Sequence, residues 1–219
     1  MFSRPAARVA RNLGQPNLIE LICCFLHNQV YPDPDLNASE ILLDDCPEFT
    51  GNISVYPSAR TAYYAPSDLA GTNGMHIETI RSVTSWYGQY ERHDTVLVQN
   101  GSEDSVMGGM IVARIRAFLS FSYDDLCYPC ALIEWFKPVG TAPDPVTGMW
   151  IVKPVFVQTH TRDVDLIHLD CIIRSCLLQG VTNSTFLDKH HHYSLTHSSF
   201  RAFYVNCFAD YHTHETYIW

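Results

Sequence analysis

Cys127 and Cys130 stand three positions apart, the spacing at which two thiolates share a metal or a disulfide. On a strand, a separation of three sends side chains to opposite faces. No second Cys-x-x-Cys completes a four-ligand zinc set, so the pair reads as structural thiols and no metal is expected. The run His190-His191-His192, with His197, His212 and His214, offers imidazole nitrogens to a transition metal, but no carboxylate is spaced to orient a ring. Asp68, Asp94, Glu134 and Asp170 are the carboxylates available for acid/base or two-metal chemistry, and their scatter fits caps and charge pairs better. There is no Gly-x-Ser-x-Gly elbow and no Gly-rich loop ending in Lys-Ser or Lys-Thr, so neither a catalytic residue nor a cofactor is expected. Tyr123, Trp135 and Trp150, with Phe136 and Trp86, are the ring types that hold a methylated ammonium by cation–π attraction. On the strands of a small barrel the same rings also fill a core, and both readings stand.

The elements that must position these residues are mostly strands. Alternation over Met110 to Tyr123 sets Ile111, Ala113, Ile115, Ala117, Leu119 and Phe121 on one face and Arg114, Arg116, Ser120 and Ser122 on the other. Asp124-Asp125 supplies a turn, and Tyr128 to Phe136 returns as the partner of a hairpin. Further strands are expected at Thr95 to Gln99, Met149 to Val152 and Leu166 to Leu169, with a loop over Asp144 to Gly148. Asn17 and Glu20 have the spacing of a capped helix start, and the stripe Leu18, Leu21, Ile22, Phe25 and Leu26 predicts a helix from about 18 to 28. Asn37 and Glu40 predict a short second helix ending before Cys46-Pro47. The segment from Ile53 to Gly74 reads as an irregular cover, and Phe200, Phe203, Tyr204, Cys207, Phe208 and Tyr211 predict a C-terminal amphipathic helix. The fold class is therefore mainly β (α+β): a small, partly closed β-barrel with a helical lead-in and a terminal helix. The expected organisation is a disordered basic terminus (1–16), a helical lead-in and covering segment (17–75), the barrel (76–181), and a polar loop with the last helix (182–219).

Composition narrows the function classes. Fourteen Lys and Arg face 23 Asp and Glu, a formal net charge of -9, so the global field repels phosphate backbones and anionic lipid. Direct nucleic-acid binding is not expected, and no apolar run approaches the length needed to span a bilayer. Residues Met1 to Pro5 lack the apolar segment of a secretory signal, so the eight cysteines are expected to be reduced in an intracellular protein.

Several strings carry a family likeness. They are Ile53-Ser54-Val55-Tyr56 with Ser58-Ala59, Ala65-Pro66-Ser67-Asp68-Leu69, and Gly74-Met75-His76 with Glu78, Ile80 and Arg81. Further on come Arg92-x-Asp94, Ala113-Arg114, Tyr128-Pro129-Cys130-Ala131-Leu132-x-Glu134-Trp135-Phe136 and Thr147-Gly148-Met149-Trp150-x-Val152-x-Pro154. Ile167-His168-Leu169-Asp170 and Tyr204-Val205-Asn206 complete the set. Together they resemble the C-terminal region of Plavaka and KDZ-type transposase proteins, a family abundant in mushroom-forming fungi, from about residue 17 onward. The basic start, the histidine run and Arg174-Ser175-Cys176-Leu177, where a His before Leu177 is expected, depart from it. Residues His76 to Val181 also resemble a bromo-adjacent-homology (BAH) barrel in strand pattern. The resemblance implies a non-catalytic, transposase-derived interaction module in the nucleus, with chromatin proteins or other transposon proteins as partners. Two alternatives are a degenerate enzyme or metal-dependent accessory domain, and a decayed product without a selected role.

Overall fold

The computed structural model describes residues 3–31, 42–66, 73–99, 106–158, 160–182, 192 and 196–217. The strands are β1 (Ser3–Pro5), β2 (Asn52–Tyr56), β3 (Ser58–Tyr64), β4 (Met75–Trp86), β5 (Tyr90–His93), β6 (Thr95–Gln99), β7 (Met110–Tyr123) and β8 (Leu126–Pro138). They continue with β9 (Trp150–Pro154), β10 (Phe156–Gln158), β11 (Thr161–Arg162), β12 (Val164–His168), β13 (Ile172–Ser175), β14 (Leu178–Gly180) and β15 (Phe203–Val205). The helices are α1 (Ala6–Leu13), α2 (Leu18–Val30), the short α3 (Thr196–Ser199) and α4 (Tyr211–Tyr217).

The β7–β8 hairpin carries the architecture, and its two-residue turn places both Asp124 and Asp125 at positive φ, as a type I′ turn requires. Each long strand serves two different neighbours. β7 pairs with β6 through Met110 to Arg114 and with β2 through Phe118 to Phe121, while β8 pairs with β12 through Cys130 to Glu134 and with β9 through Phe136 to Pro138. The ten-stranded sheet therefore turns a corner in mid-hairpin and curls into a half barrel, with β1 at one end of the main strand path and β14 at the other. The protein is mainly β, and its sheet is curled rather than closed.

The corner is a bulge. Ile115 faces Ile133 and Ala117 faces Leu132, so Arg116 is an extra residue without a cross-strand partner. An inserted residue exchanges the faces, so the expected six-residue apolar face is split. Ile115 belongs to one core with Ala113, Phe118, Ala131 and Ile133, whereas Ala117, Leu119 and Phe121 join another with Cys130 and Leu132. Ile115 and Leu119 are both buried, as alternation predicts, but on opposite sides of the sheet. The second core is roofed by α1 and α2; a third, around Leu97, Val112, Phe136, Trp150, Val152, Phe203 and Val205, lies beyond the corner.

Three expectations are corrected. The basic terminus is ordered where described: β1 pairs with β2, and α1 buries Ala6, Val9 and Ala10, a helical apolar stripe that the interspersed arginines obscure. Gly14 ends α1 in the left-handed conformation and donates to the Arg11 carbonyl. The first part of the expected Ile53–Gly74 cover forms two strands, β2 and β3, because its Tyr, Thr and Val alternate against β7 and β4. The stripe from Phe200 to Tyr211 is not one helix: Phe203 to Val205 form β15, which inserts between β9 and β14 and buries Phe203 and Val205, Asn206 Oδ1 then accepts from Phe208 N and turns the chain, and the terminal helix is the short α4 that begins at Tyr211. The α2 helix is present, although Asn17 makes no side-chain cap because its Oδ1 accepts from Gln15. Leu43–Asp45 forms a single 3₁₀ turn, while Asn37 and Glu40 of the expected second helix lie outside the described residues, as do Asp68, His190 and His191.

Polar ties hold the three-stranded meander β3–β4–β5 and the C-terminal segment to the curled sheet, among them Glu78 to Ser175 and Thr61 to the Ile173 carbonyl, and two of them centre on Ser82 and Arg174. Ser82 Oγ lies 2.8 Å from the Arg116 carbonyl and 2.8 Å from His93 Nδ1, so it pins the bulge. Ser82→Ala leaves both groups buried without this partner and should cost about 1–3 kcal/mol, read as a lower urea midpoint. Buried Arg174 donates from Nη1 and Nη2 to Asp210 at 3.1 and 2.6 Å. Burial would raise the Asp210 carboxyl, but hydrogen bonds from Arg174 and Thr213 hold it below the usual carboxylate range. A depressed folded-state value contributes stability above the unfolded value of about 3.9, and that contribution is lost as pH falls below it. The stability gap between the parent and Asp210→Asn should thus be constant near neutrality and shrink below about pH 4 in acid-denaturation curves.

Candidate functional site

On β8 the even positions pass from Cys130 and Leu132 in the core under α2, through Glu134, to Phe136 in the core beyond the corner. Glu134 therefore sits at the seam between two apolar clusters, 6% exposed. A lone carboxylate there would be strongly disfavoured, and three arginines compensate it. Arg116 Nη1 lies 3.4 Å from Oε1, Arg162 Nη2 lies 3.7 Å from Oε2, and Arg114 is the cross-strand partner of Glu134. Arg162 also donates to the Trp135 carbonyl at 3.3 Å and rests against the Phe136 and Phe156 rings, 4.9 and 5.4 Å from their centroids. Burial pulls the Arg114 and Arg162 guanidiniums down from their ordinary value while Glu134 pulls them back up. Both remain charged at any accessible pH.

A cavity of about 720 Å³ opens over this seam. Arg114, Arg162, Lys137, Lys153 and Arg201 line it with Glu134, so five cationic side chains meet one carboxylate in a chain whose net charge is -9. His197, on α3, also lines it; burial, then the positive fields of Arg114 and Arg162, push its imidazole down to about 4, so it is neutral near pH 7. Arg114 Nε, Arg162 Nε and His197 Nδ1 are buried side-chain nitrogens without a hydrogen-bond partner. A second cavity of about 540 Å³ reaches Arg116, Glu134 and Arg162 from the Gly14–Asn17 side, and a third of about 440 Å³ shares Arg114 and His197.

The residues singled out from the sequence do not meet. Tyr123 packs at the edge of the core under α1 and α2, Trp135 flanks the core on the other face of the sheet, and Trp150 is 5% exposed in the core beyond the corner. The bulge and strand alternation send them to three clusters, so they do not form the proposed ammonium cage; Phe136 is also buried there. Trp135 Nε1 donates to Asp165 at 3.3 Å, and Trp86 already carries the Arg81 and Arg92 guanidiniums 5.1 and 4.7 Å from its ring. Cys127 is exposed and Cys130 buried, on opposite sides of β8. Asp94 accepts from Arg92 and from Arg81 N, Asp170 stands in the open, and among the described residues no three His, Cys, Asp or Glu side chains group as a metal site.

One arrangement imitates a catalytic triad: Ser82, His93 and Glu91, with His93 Nε2 3.4 Å from Glu91 Oε2. An oxygen 2.8 Å from a carbonyl must donate to it, so the Ser82 proton points at Arg116 and His93 Nδ1 donates to Ser82. That is the reverse of what a general base needs. Sequence reading missed the arginines at this seam because Arg114 and Arg116 alternate as an ordinary polar strand face, and nothing in the spacing of positions 114, 116, 137, 153, 162 and 201 shows that they meet.

Compared with protein-family models, curated proteins and solved structures, the chain matches none. The site is therefore interpreted on its own chemistry. Glu134→Gln removes the buried carboxylate that Arg114, Arg116 and Arg162 share and should cost about 3–5 kcal/mol in urea denaturation. Added sulfate should recover this variant more strongly than it stabilises the parent, because the anion replaces the missing charge.

Proposed function

We propose that the chain is a non-catalytic interaction module whose binding site is the cationic cavity over Glu134, and that its ligand is multiply anionic. The observation that carries this reading is the lining of a single cavity by five cationic side chains and one carboxylate, in a chain whose net charge is -9. The cavity size is that of a small-molecule or side-chain site. This reading keeps the interaction-module role that the resemblance to transposase C-terminal regions implies. A nuclear, chromatin-linked role then rests on an acidic partner rather than on a methylated lysine.

Thermal unfolding with pyrophosphate, citrate, a hexaglutamate peptide and a trimethyllysine peptide tests it. At least one of the three anions should give a saturable rise, worth about 2.7 kcal/mol at a hundred times its Kd, and the trimethyllysine peptide should give none. No response to any anion, or a response to trimethyllysine alone, would sink the proposal.

A further inference from the structure

The ligand class follows from charge density in the same cavity, and rests on the reading above. We infer that the site takes a small molecule carrying two or more linked phosphate groups. Among the residues that line the cavity of about 720 Å³, five cations against one carboxylate leave a formal excess of four positive charges, with Asp163 and Glu91 acting on Arg162 and Arg114 from outside the lining. A carboxylate supplies one negative charge and a phosphate about 1.5–2, so carboxylate ligands need roughly twice as many groups in the same space. Orthophosphate alone leaves half the excess unmatched.

Geometry points the same way. Arg162 lies against two aromatic rings, and such contacts occupy guanidinium faces and direct hydrogen bonding to the edges. Its Nη2 is already shared by the Trp135 carbonyl and Glu134. A phosphate group presents several acceptor oxygens in a compact tetrahedron, so it can pair with cationic side chains that line a cavity on more than one side. Lys137 and Lys153, as point charges, and Arg201, as a planar fork, are exposed side chains of the same cavity suited to a second and third phosphate. Inorganic polyphosphate, a nucleoside polyphosphate and a phosphorylated polyol share this chemistry.

Isothermal titration of the full chain with tripolyphosphate, adenosine triphosphate, inositol hexakisphosphate, orthophosphate, citrate and hexaglutamate separates the possibilities. At least one linked or clustered phosphate should bind ten times more tightly than orthophosphate, citrate and hexaglutamate, and the ranking of the first three identifies the source. Citrate or hexaglutamate binding as tightly as every phosphate compound would overturn this inference and leave the anion site standing; binding of none of the six would remove both. Lys153→Glu combined with Arg201→Glu, both at exposed positions, should lower affinity at least tenfold, while Arg60→Glu, exposed on β3, should change it less than twofold. Equal losses would mean general electrostatics and not this site. In NMR titrations the His197 midpoint should rise on saturation with the tightest ligand, because a neighbouring anion favours imidazolium. A midpoint that does not move would place the ligand elsewhere and refute the assignment.

Discussion

A single inserted residue, Arg116, exchanges the two faces of β7 at mid-strand, and the remaining architecture follows from that exchange. Without it, Ile115 and Leu119 would share a core and the arginines would lie on one continuous polar face. With it, the face carrying Met110 and Val112 continues into Ala117, Leu119 and Phe121, so two apolar clusters occupy the same side of the hairpin and a third occupies the other. The charged side chains are left at the junction, where neither apolar cluster covers them fully. Ser82 holds the inserted residue by its carbonyl, and His93 holds Ser82. Burial lowers the His93 imidazole from its usual range, and Arg114 and Arg116 push it further down. The bulge, its clamp and the cationic seam are thus one connected unit.

Regular alternation made the hairpin, β6 and the turn at Asp124-Asp125 legible from residue types alone, because a period of two sustained over fourteen residues matches a half-buried strand and no helix. The same logic hid the bulge. An extra residue leaves no mark on composition, and its effect appears only when the partner strand fixes the register. The terminal segment misled for a related reason. Phe200, Phe203, Tyr204 and Cys207 satisfy helical spacing, yet Phe203 and Val205 are claimed by two neighbouring strands whose pairing depends on residues some fifty and twenty-five positions away. The arginine seam was illegible because Arg162 lies far in sequence from Arg114 and Arg116. Only the pairing of β12 beside β8, which brings the β10–β11 hairpin over the corner, joins them.

Large aromatic residues on such a framework are needed as filling. The curled sheet has three separate apolar clusters to complete, and Phe136, Trp150 and Phe203 supply the volume of the one beyond the corner. Rings committed to packing present no face to a ligand, so the chemistry of recognition falls to the groups that packing cannot absorb. Those are the guanidiniums at the seam. One carboxylate satisfies part of their charge, and what is left over favours the folded protein less than an apolar seam would. Such unrelieved charge is tolerated where function depends on it.

The contrast between a local excess of positive charge and a net charge of -9 also limits which anions can reach the seam. At physiological ionic strength, fields extend about 8 Å. A compact anion inside the cavity therefore feels the five cations lining it and little of the remaining acidic surface. A long polyanion must lay its further charges across that surface, where each added phosphate meets repulsion instead of a counterion to release. Ligand size thus becomes a criterion of selection that needs no additional contact. On the proposed reading, discrimination against nucleic acid would come from the rest of the molecule, and affinity for a short, charge-dense ligand from the corner of one hairpin.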